Sequence, residues 1–400
     1  MRELEFLEDE DEISRDIFDM LLDRSYSKPL CPRLLKLSWT ADPVFCADFT
    51  PFLSPQLQDV HLVAGPGTLF TFPHAISALP ITSLKSLRLS IIGNAPVREA
   101  IASMFKNISK SLTTLKISQM DQLQDGSWYR ILFFLPCLRS LETDQWPPSA
   151  FPPRMPVFFP SLRQISLRGF AASRWIQFLA EDRIQKVSTD TGFQPRRVAP
   201  HLVQLRCDYV SDLDATFISH LRVFRNLSIL LLGTNCSRVT RCTFHLTDDD
   251  VTQLAIELPG LRELSLGFPC EFNTCRTTVI SLLALSTYCR GLRQLCIHFS
   301  TRNLAHDMRQ SLRHPLRHNQ YPPSRCPLEV LDVVVAPLTG AALGEEMFPI
   351  IAGLVDIFPR LQRIWHLELG TRSSWRWQQL SAYVPIFQQM RRSLPAVFIQ

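Results

Sequence analysis

The chain has 400 residues, 46% of them hydrophobic and 20% charged, with a net charge of +5. That apolar content is enough for a continuous core. No run approaches the roughly 18 apolar residues of a membrane helix. The acidic stretch after Met1 differs from the basic-then-apolar pattern of a secretory signal. The sequence therefore argues against a membrane-spanning or secreted protein, and an intracellular, cytoplasmic or nuclear location is expected.

Acidic residues concentrate at the start. Residues 1–24 carry ten acidic and three basic residues, a net −7, which leaves +12 on the remainder. Residues 1–28 are expected to form an acidic tail, partial linker or helix. The basic body reads either as a solvated surface or as a surface for an acidic partner.

From residue 29 onward one pattern recurs. In "LPGLRELSLG" the residues Leu261, Leu264 and Leu266 follow L-x-x-L-x-L. Copies run along the chain as "ITSLKSLRLS", "SKSLTTLKIS", "FPSLRQISLRG", "FRNLSILLLG", "CRGLRQLCIHF" and "CPLEVLDVVV". Weaker copies are "PRLLKLSW", "SPQLQDVHLV", "LPCLRSLETD", "IQKVSTD", "APHLVQLRCD" and "FPRLQRIWHL". The middle apolar residues fall at Leu35, Val60, Leu87, Leu115, Leu141, Ile165, Val187, Leu205, Leu230, Leu264, Leu295, Leu331 and Ile364. Most early steps are close to the period of a leucine-rich repeat, about 20–29 residues. Later steps are longer, which implies inserted loops.

In x-L-x-L-x the two apolar residues share one face of a short strand, because strand side chains alternate. Between strands the period becomes helical. "REAIASMFKNISKSL" aligns Ile101, Met104, Phe105, Ile108 and Leu112, and "TDDDVTQLAIELPGL" aligns Val251, Leu254, Ala255 and Leu258. One such unit cannot bury its apolar face alone, so neighbours must stack. The expected fold is an α/β leucine-rich-repeat solenoid, a horseshoe over 29–370. It would hold about 12–13 irregular repeats, with parallel strands on the concave face and helices on the convex face. Residues 371–400, with Trp375, Trp377, Tyr383 and Phe387, read as a capping helix, because an open solenoid end exposes core.

Chemistry-bearing motifs are scarce. The eleven cysteines are odd in number, irregular in spacing and without C-x-x-C, as for reduced thiols packed as small apolar residues. Cys236, Cys242, His245, Cys270 and Cys275 cluster, but match no common zinc spacing. The run Asp248–Asp250 reads as the capped first turn of a helix, with Thr247 or an early Asp as cap, rather than as a metal site. The tract 309–325, with Arg309, Arg313, His314, Arg317, His318, Tyr321 and Arg325, reads as an exposed basic loop, with nucleic-acid contact the weaker alternative. No phosphate-loop, dinucleotide, zinc-protease or hydrolase motif occurs. No enzyme activity, metal or cofactor is expected, and the chain is expected to be a monomer.

The "LPxLxxLxL" grammar, with segments such as "HLTDDDVTQLAIELPGLRELSLG" and the early "DEDEISRDIFDMLLDRSYSKPLCPRLLKLSW" followed by "FLSPQLQDVHL", resembles F-box/leucine-rich-repeat proteins of basidiomycete fungi over roughly residues 10–370. The resemblance implies a protein-interaction module that acts as the target-reading part of an SCF-type ubiquitin ligase receptor. In that family an N-terminal F-box binds the ligase adaptor and the repeats hold a target protein. Here no L-P-x-E precedes the repeats, so either an F-box is encoded upstream or it has been lost. In the latter case a stand-alone repeat scaffold results. The Asn that builds a backbone ladder in regular repeats is supplied by Asn235 after Leu232 but is missing from most copies, which implies an irregular stack.

The residue between the last two apolar residues of each strand points to the face opposite the core. These are Lys36, His61, Arg88, Lys116, Glu142, Ser166, Ser188, Arg206, Leu231, Ser265, Cys296 and Asp332. Of these, Lys36, His61, Arg88, Lys116, Glu142, Arg206 and Asp332 are the expected partner contacts. The first four are basic or titratable and would attract an acidic segment.

Overall fold

The computed structural model describes residues 2–7, 20, 29–41, 49–64, 83–91, 110–118, 135–144, 159–168, 175–177, 179, 201–208, 210, 212–233, 243–266, 276–301, 304–313, 325–334, 343–367 and 374–393. The chain forms two compact units, Met1–Leu202 and Val203–Gln400.

In the first unit seven strands lie side by side in chain order. They are β1 (Glu3–Leu7), β2 (Lys36–Ala41), β3 (Asp59–Ala64), β4 (Ser86–Ile91), β5 (Thr114–Ser118), β6 (Ser140–Thr143) and β7 (Gln164–Leu167). Every neighbouring pair is parallel and in register. The period-two alternation decides which face is buried. Leu37, Val60, Leu87, Leu115, Leu141 and Ile165 point inward, as do Trp39, Leu62, Leu89, Ile117 and Leu167 two residues later. The first leucine of each motif turns in as well, and Leu34, Leu57, Leu84, Leu112, Leu138 and Leu162 are all buried. Each such side chain stabilises the stack by about 1.5–3 kcal/mol relative to exposure.

The sheet takes in more of the N-terminus than the sequence pattern indicates. Residues 1–28 carry no repeat motif, yet Glu3–Leu7 is a strand paired with β2. Lys36 Nζ reaches Glu3 Oε1 at 2.7 Å across that pair.

The second unit reads β8 (Gln204–Cys207), β9 (Asp212–Leu213), α1 (Ala215–Leu221), β10 (Ile229–Leu232), β11 (Thr243–Phe244), α2 (Asp248–Glu257), β12 (Glu263–Leu266), α3 (Val279–Tyr288), β13 (Gln294–Ile297), α4 (Leu304–Arg313), β14 (Val330–Val334), α5 (Leu343–Ile357), β15 (Arg363–Leu367) and α6 (Ser374–Ser393). Strands β8, β10, β12, β13, β14 and β15 form the main sheet, parallel throughout. A small second pair joins β9 to β11. Parallel strands at repeat spacing, with L-x-x-L-x-L turned inward and helices between strands, make this a leucine-rich-repeat solenoid.

With few asparagines to make the usual ladder, the backbone itself registers the repeats. One carbonyl accepts from two successive amides of the next copy. Gln58 O takes Lys85 N and Ser86 N at 2.8 and 2.9 Å, and Arg262 O takes Arg293 N and Gln294 N at 2.7 and 3.2 Å. The same fork recurs at Lys85, Thr113, Arg139, Val203, Ser228, Arg293 and Glu329. Two thiols add to it. Cys289 Sγ donates toward Ala255 O and Leu258 O at 3.8 and 3.7 Å, and Cys326 Sγ toward Cys289 O and Leu292 O at 3.7 and 3.5 Å. Burial pushes these thiols up to about 12 and about 11, so both stay protonated donors.

The helix ends use the acids of the sequence. Thr247 caps α2 in a reciprocal box with Asp250. Val251, Leu254, Ala255 and Leu258 are buried, the stripe expected from their spacing. Asp248 reaches into the next repeat and caps α3. Its carboxylate accepts from Thr278 N and Oγ1 at 2.8 and 2.7 Å, and from Ser281 N and Oγ at 3.1 and 2.5 Å. Asp248 and Asp250 are thus committed to helix ends.

Helix α4 corrects one expectation. Arg309 and Arg313 belong to Leu304–Arg313, a helix and not a loop, while 314–324 lie outside the described residues. The segment 98–112 expected as a helix, the copy at 184–190, and Cys236, Cys242, Cys270 and Cys275 of the cysteine cluster also lie wholly or mostly outside them. In α6 the buried face is Trp377, Leu380 and Val384, with Trp377 edge-on to Phe299 at 6.4 Å. Arg391 fastens the far end through Val355 O at 2.7 Å and Asp356 at 3.3 Å.

Candidate protein-interaction surface

Between the two inward positions of every strand one side chain faces away from the core. The register fixes these into columns. In the first unit the column is Glu5, Ser38, His61, Arg88, Lys116, Glu142 and Ser166. It differs from the sequence reading on β1 and β2. Lys36 aligns with Asp59, one pleat earlier, and Ser38 stands opposite His61. The sequence "RLLKLSW" offers two leucine frames, and burial selects the one with Leu34, Leu37 and Trp39 inside, leaving Leu35 half-buried. Trp39 in a leucine position, against Phe49 and Phe52, is the signal that could have fixed the frame.

The charges in this column are not equivalent. Glu142 is shared by Lys116 at 3.0 Å and Arg168 at 2.6 Å, so Lys116 is largely spoken for. Lys36 is held by Glu3, whose hydrogen bond and charge raise its pKa. His61 meets Ser38 Oγ at 3.2 Å. Its pKa is lowered, first by burial and then by the charges of Arg88 and Lys116, so the imidazole is neutral at pH 7. Arg88 is exposed and makes no ion pair among the described residues. It is the column's available cation.

In the second unit the column is Arg206, Leu231, Ser265, Cys296, Asp332 and Trp365. Arg206 pairs with Asp208 at 2.7 Å. Cys296 is pushed up to about 12, mainly by burial and then by Asp332, with a Ser265 hydrogen bond opposing. Asp332 is raised above the ordinary carboxylate value by burial. Trp365, which the sequence reading did not single out, is 54% exposed. Ser188 lies outside the described residues. Among the described residues no group of three or more His, Cys, Asp or Glu is placed to hold a metal ion, and no helix is long and apolar enough to cross a membrane.

No family model and no curated protein matches the chain. Solved structures do. One is the leucine-rich repeat-containing protein LegL7 from Legionella pneumophila, at 10% identity and TM-score 0.37, covering 91% of this chain and 93% of that one. An internalin from Listeria monocytogenes matches at 12% identity and TM-score 0.41, covering 88% and 94%. The complex of Rad7 and Elc1 in yeast matches at 14% identity and TM-score 0.38, covering 90% and 85%.

Proposed function

We propose that this chain is a protein-interaction module that holds a protein target on the outward columns of its strands. The observation that carries the reading is Arg88. It is an exposed cation without an ion pair among the described residues, on a rigid strand beside neutral His61 and the Lys116–Glu142 pair. A strand fixes a side chain more closely than a loop does, which favours recognition of an acidic segment. The resemblance to F-box/leucine-rich-repeat proteins extends the reading to the target-reading part of an SCF-type ubiquitin ligase receptor.

A stand-alone scaffold without a ligase link is the second reading. It is favoured by Glu3–Leu7, which serve as sheet rather than as F-box helices.

The test has two arms. This chain, and a form extended by any in-frame coding sequence upstream of Met1, are assayed for binding to purified SCF adaptor subunit. Binding by the extended form supports the ligase reading, and binding by neither leaves the scaffold. Separately, targets are fixed by cross-linking and mapped. Cross-links on the outward columns, with at least tenfold weaker binding by Arg88→Glu/Lys116→Glu, are expected. Unchanged binding by that variant counts against the surface.

A further inference from the structure

The outward column of the second unit contains two charges, and they are treated differently. Arg206 is neutralised by Asp208. Asp332 has no ion pair among the described residues, and its Oδ1 is buried without a hydrogen-bond partner. In the neighbouring strand the Arg363 guanidinium makes no ion pair with Asp332 and lies over the Trp365 ring, 5.7 Å from its centroid. The two cross-strand neighbours of Asp332 are Cys296 and Trp365. Neither carries a charge that would balance it, and neither the Cys296 thiol nor the Trp365 indole N–H donates to Asp332 Oδ1.

A half-buried carboxylate without a partner costs desolvation energy that the fold does not recover. A cation arriving at this half-buried side chain from outside would offset its charge, without contact to the buried Oδ1. The Trp365 ring, 54% exposed, already carries the Arg363 guanidinium over it and so accepts a cationic side chain, and lysine and arginine carry long methylene stems below the charge. The chemistry beside it narrows the choice further. An acidic ligand would meet Asp332 as a like charge, and a purely apolar one would bury the carboxylate completely.

We propose that Asp332 receives a lysine or arginine side chain of a protein partner, with the methylene stem of that side chain laid against Trp365. This rests on the reading of the outward columns as a protein-binding surface. It adds that the second unit selects a basic segment, whereas Arg88 in the first selects an acidic one.

The probe is an acetylated, amidated tetralysine peptide, with tetraglutamate as the control. Binding is followed by calorimetry and tryptophan fluorescence at low ionic strength. Residues 1–24 carry a net −7 and can also draw a cationic peptide, so the site is reported by the difference between wild type and Asp332→Asn. Asp332→Asn keeps the shape and removes the charge. It is expected to weaken tetralysine binding five- to tenfold, and Trp365→Ala to weaken it by a similar factor. Asp332→Asn is also expected to leave the unfolding transition unchanged or raise it, which separates lost binding from lost folding. Tetralysine binding that is absent, or equal in wild type and Asp332→Asn, overturns the inference. If that occurs while Arg88→Glu/Lys116→Glu still releases the cross-linked target, only this inference falls. If that variant also retains the target, the wider reading falls with it.

Discussion

The Asp248 carboxylate accepts a 2.5 Å hydrogen bond from the Ser281 hydroxyl, 33 positions further along the chain. Ser281 is fully buried. One acid at the start of α2 therefore closes the first turn of α3 in the next repeat, through four donors. It joins local capping to repeat stacking.

Asp248→Ala should destabilise the second unit by about 2–4 kcal/mol, because the Ser281 hydroxyl and the amide and hydroxyl of the cap residue Thr278 lose the carboxylate as acceptor, while Ser281 N keeps Thr278 O. Asp248→Asn should lose less, since the amide oxygen still accepts. Urea unfolding of the three proteins measures this. An effect below about 0.5 kcal/mol for the alanine variant would show that water replaces the carboxylate.

Helix α5 passes close to α4 at Gly353. A Cβ there would lie 2.5 Å from Met308 Sδ and 3.1 Å from Met308 Cβ and Cγ, and Met308 is fully buried. Gly353→Ala should therefore cost about 1–3 kcal/mol by overpacking. Met308→Ala alone should cost about 2–5 kcal/mol through the cavity it leaves. The double variant should be less destabilised than the sum of the two, and a double-mutant cycle by thermal or urea unfolding reads that coupling.

His61 should titrate below the usual 6.5, and the largest cause is burial. The unfolded chain then takes up its proton first as pH falls. Stability from this group is fully present above pH 6.5 and declines as pH drops toward the folded-state pKa. Arg88→Gln should move the His61 pKa upward by removing a repelling charge, while Asp59→Asn should move it further down, since Asp59 acts in the opposite sense with Glu5. Titration of the His61 ring protons by NMR follows both shifts. No movement in Arg88→Gln would mean that the Arg88 charge does not act on the imidazole in solution.

The repeated L-x-x-L-x-L spacing was enough to place the strands and their inward faces, because a period-two pattern on a short strand leaves one side to bury. The stripe Val251, Leu254, Ala255 and Leu258 was enough to place α2; the sequence offers Thr247 or an early Asp as its cap, and the fold uses Thr247 with Asp250. Those signals lie within a few residues of one another. The frame of β2 did not: "RLLKLSW" fits two registers, and only contact of Trp39 with Phe49 and Phe52 selects Ser38 over Lys36 for the outward column. The strand Glu3–Leu7 carries no leucine motif and forms because β2 offers it an edge to pair with. Which charges remain for a partner was equally out of reach of the linear chain. Lys116 and Arg206 are neutralised, while Arg88 and Asp332 are not, because ion pairing depends on side chains that the register brings together across strands.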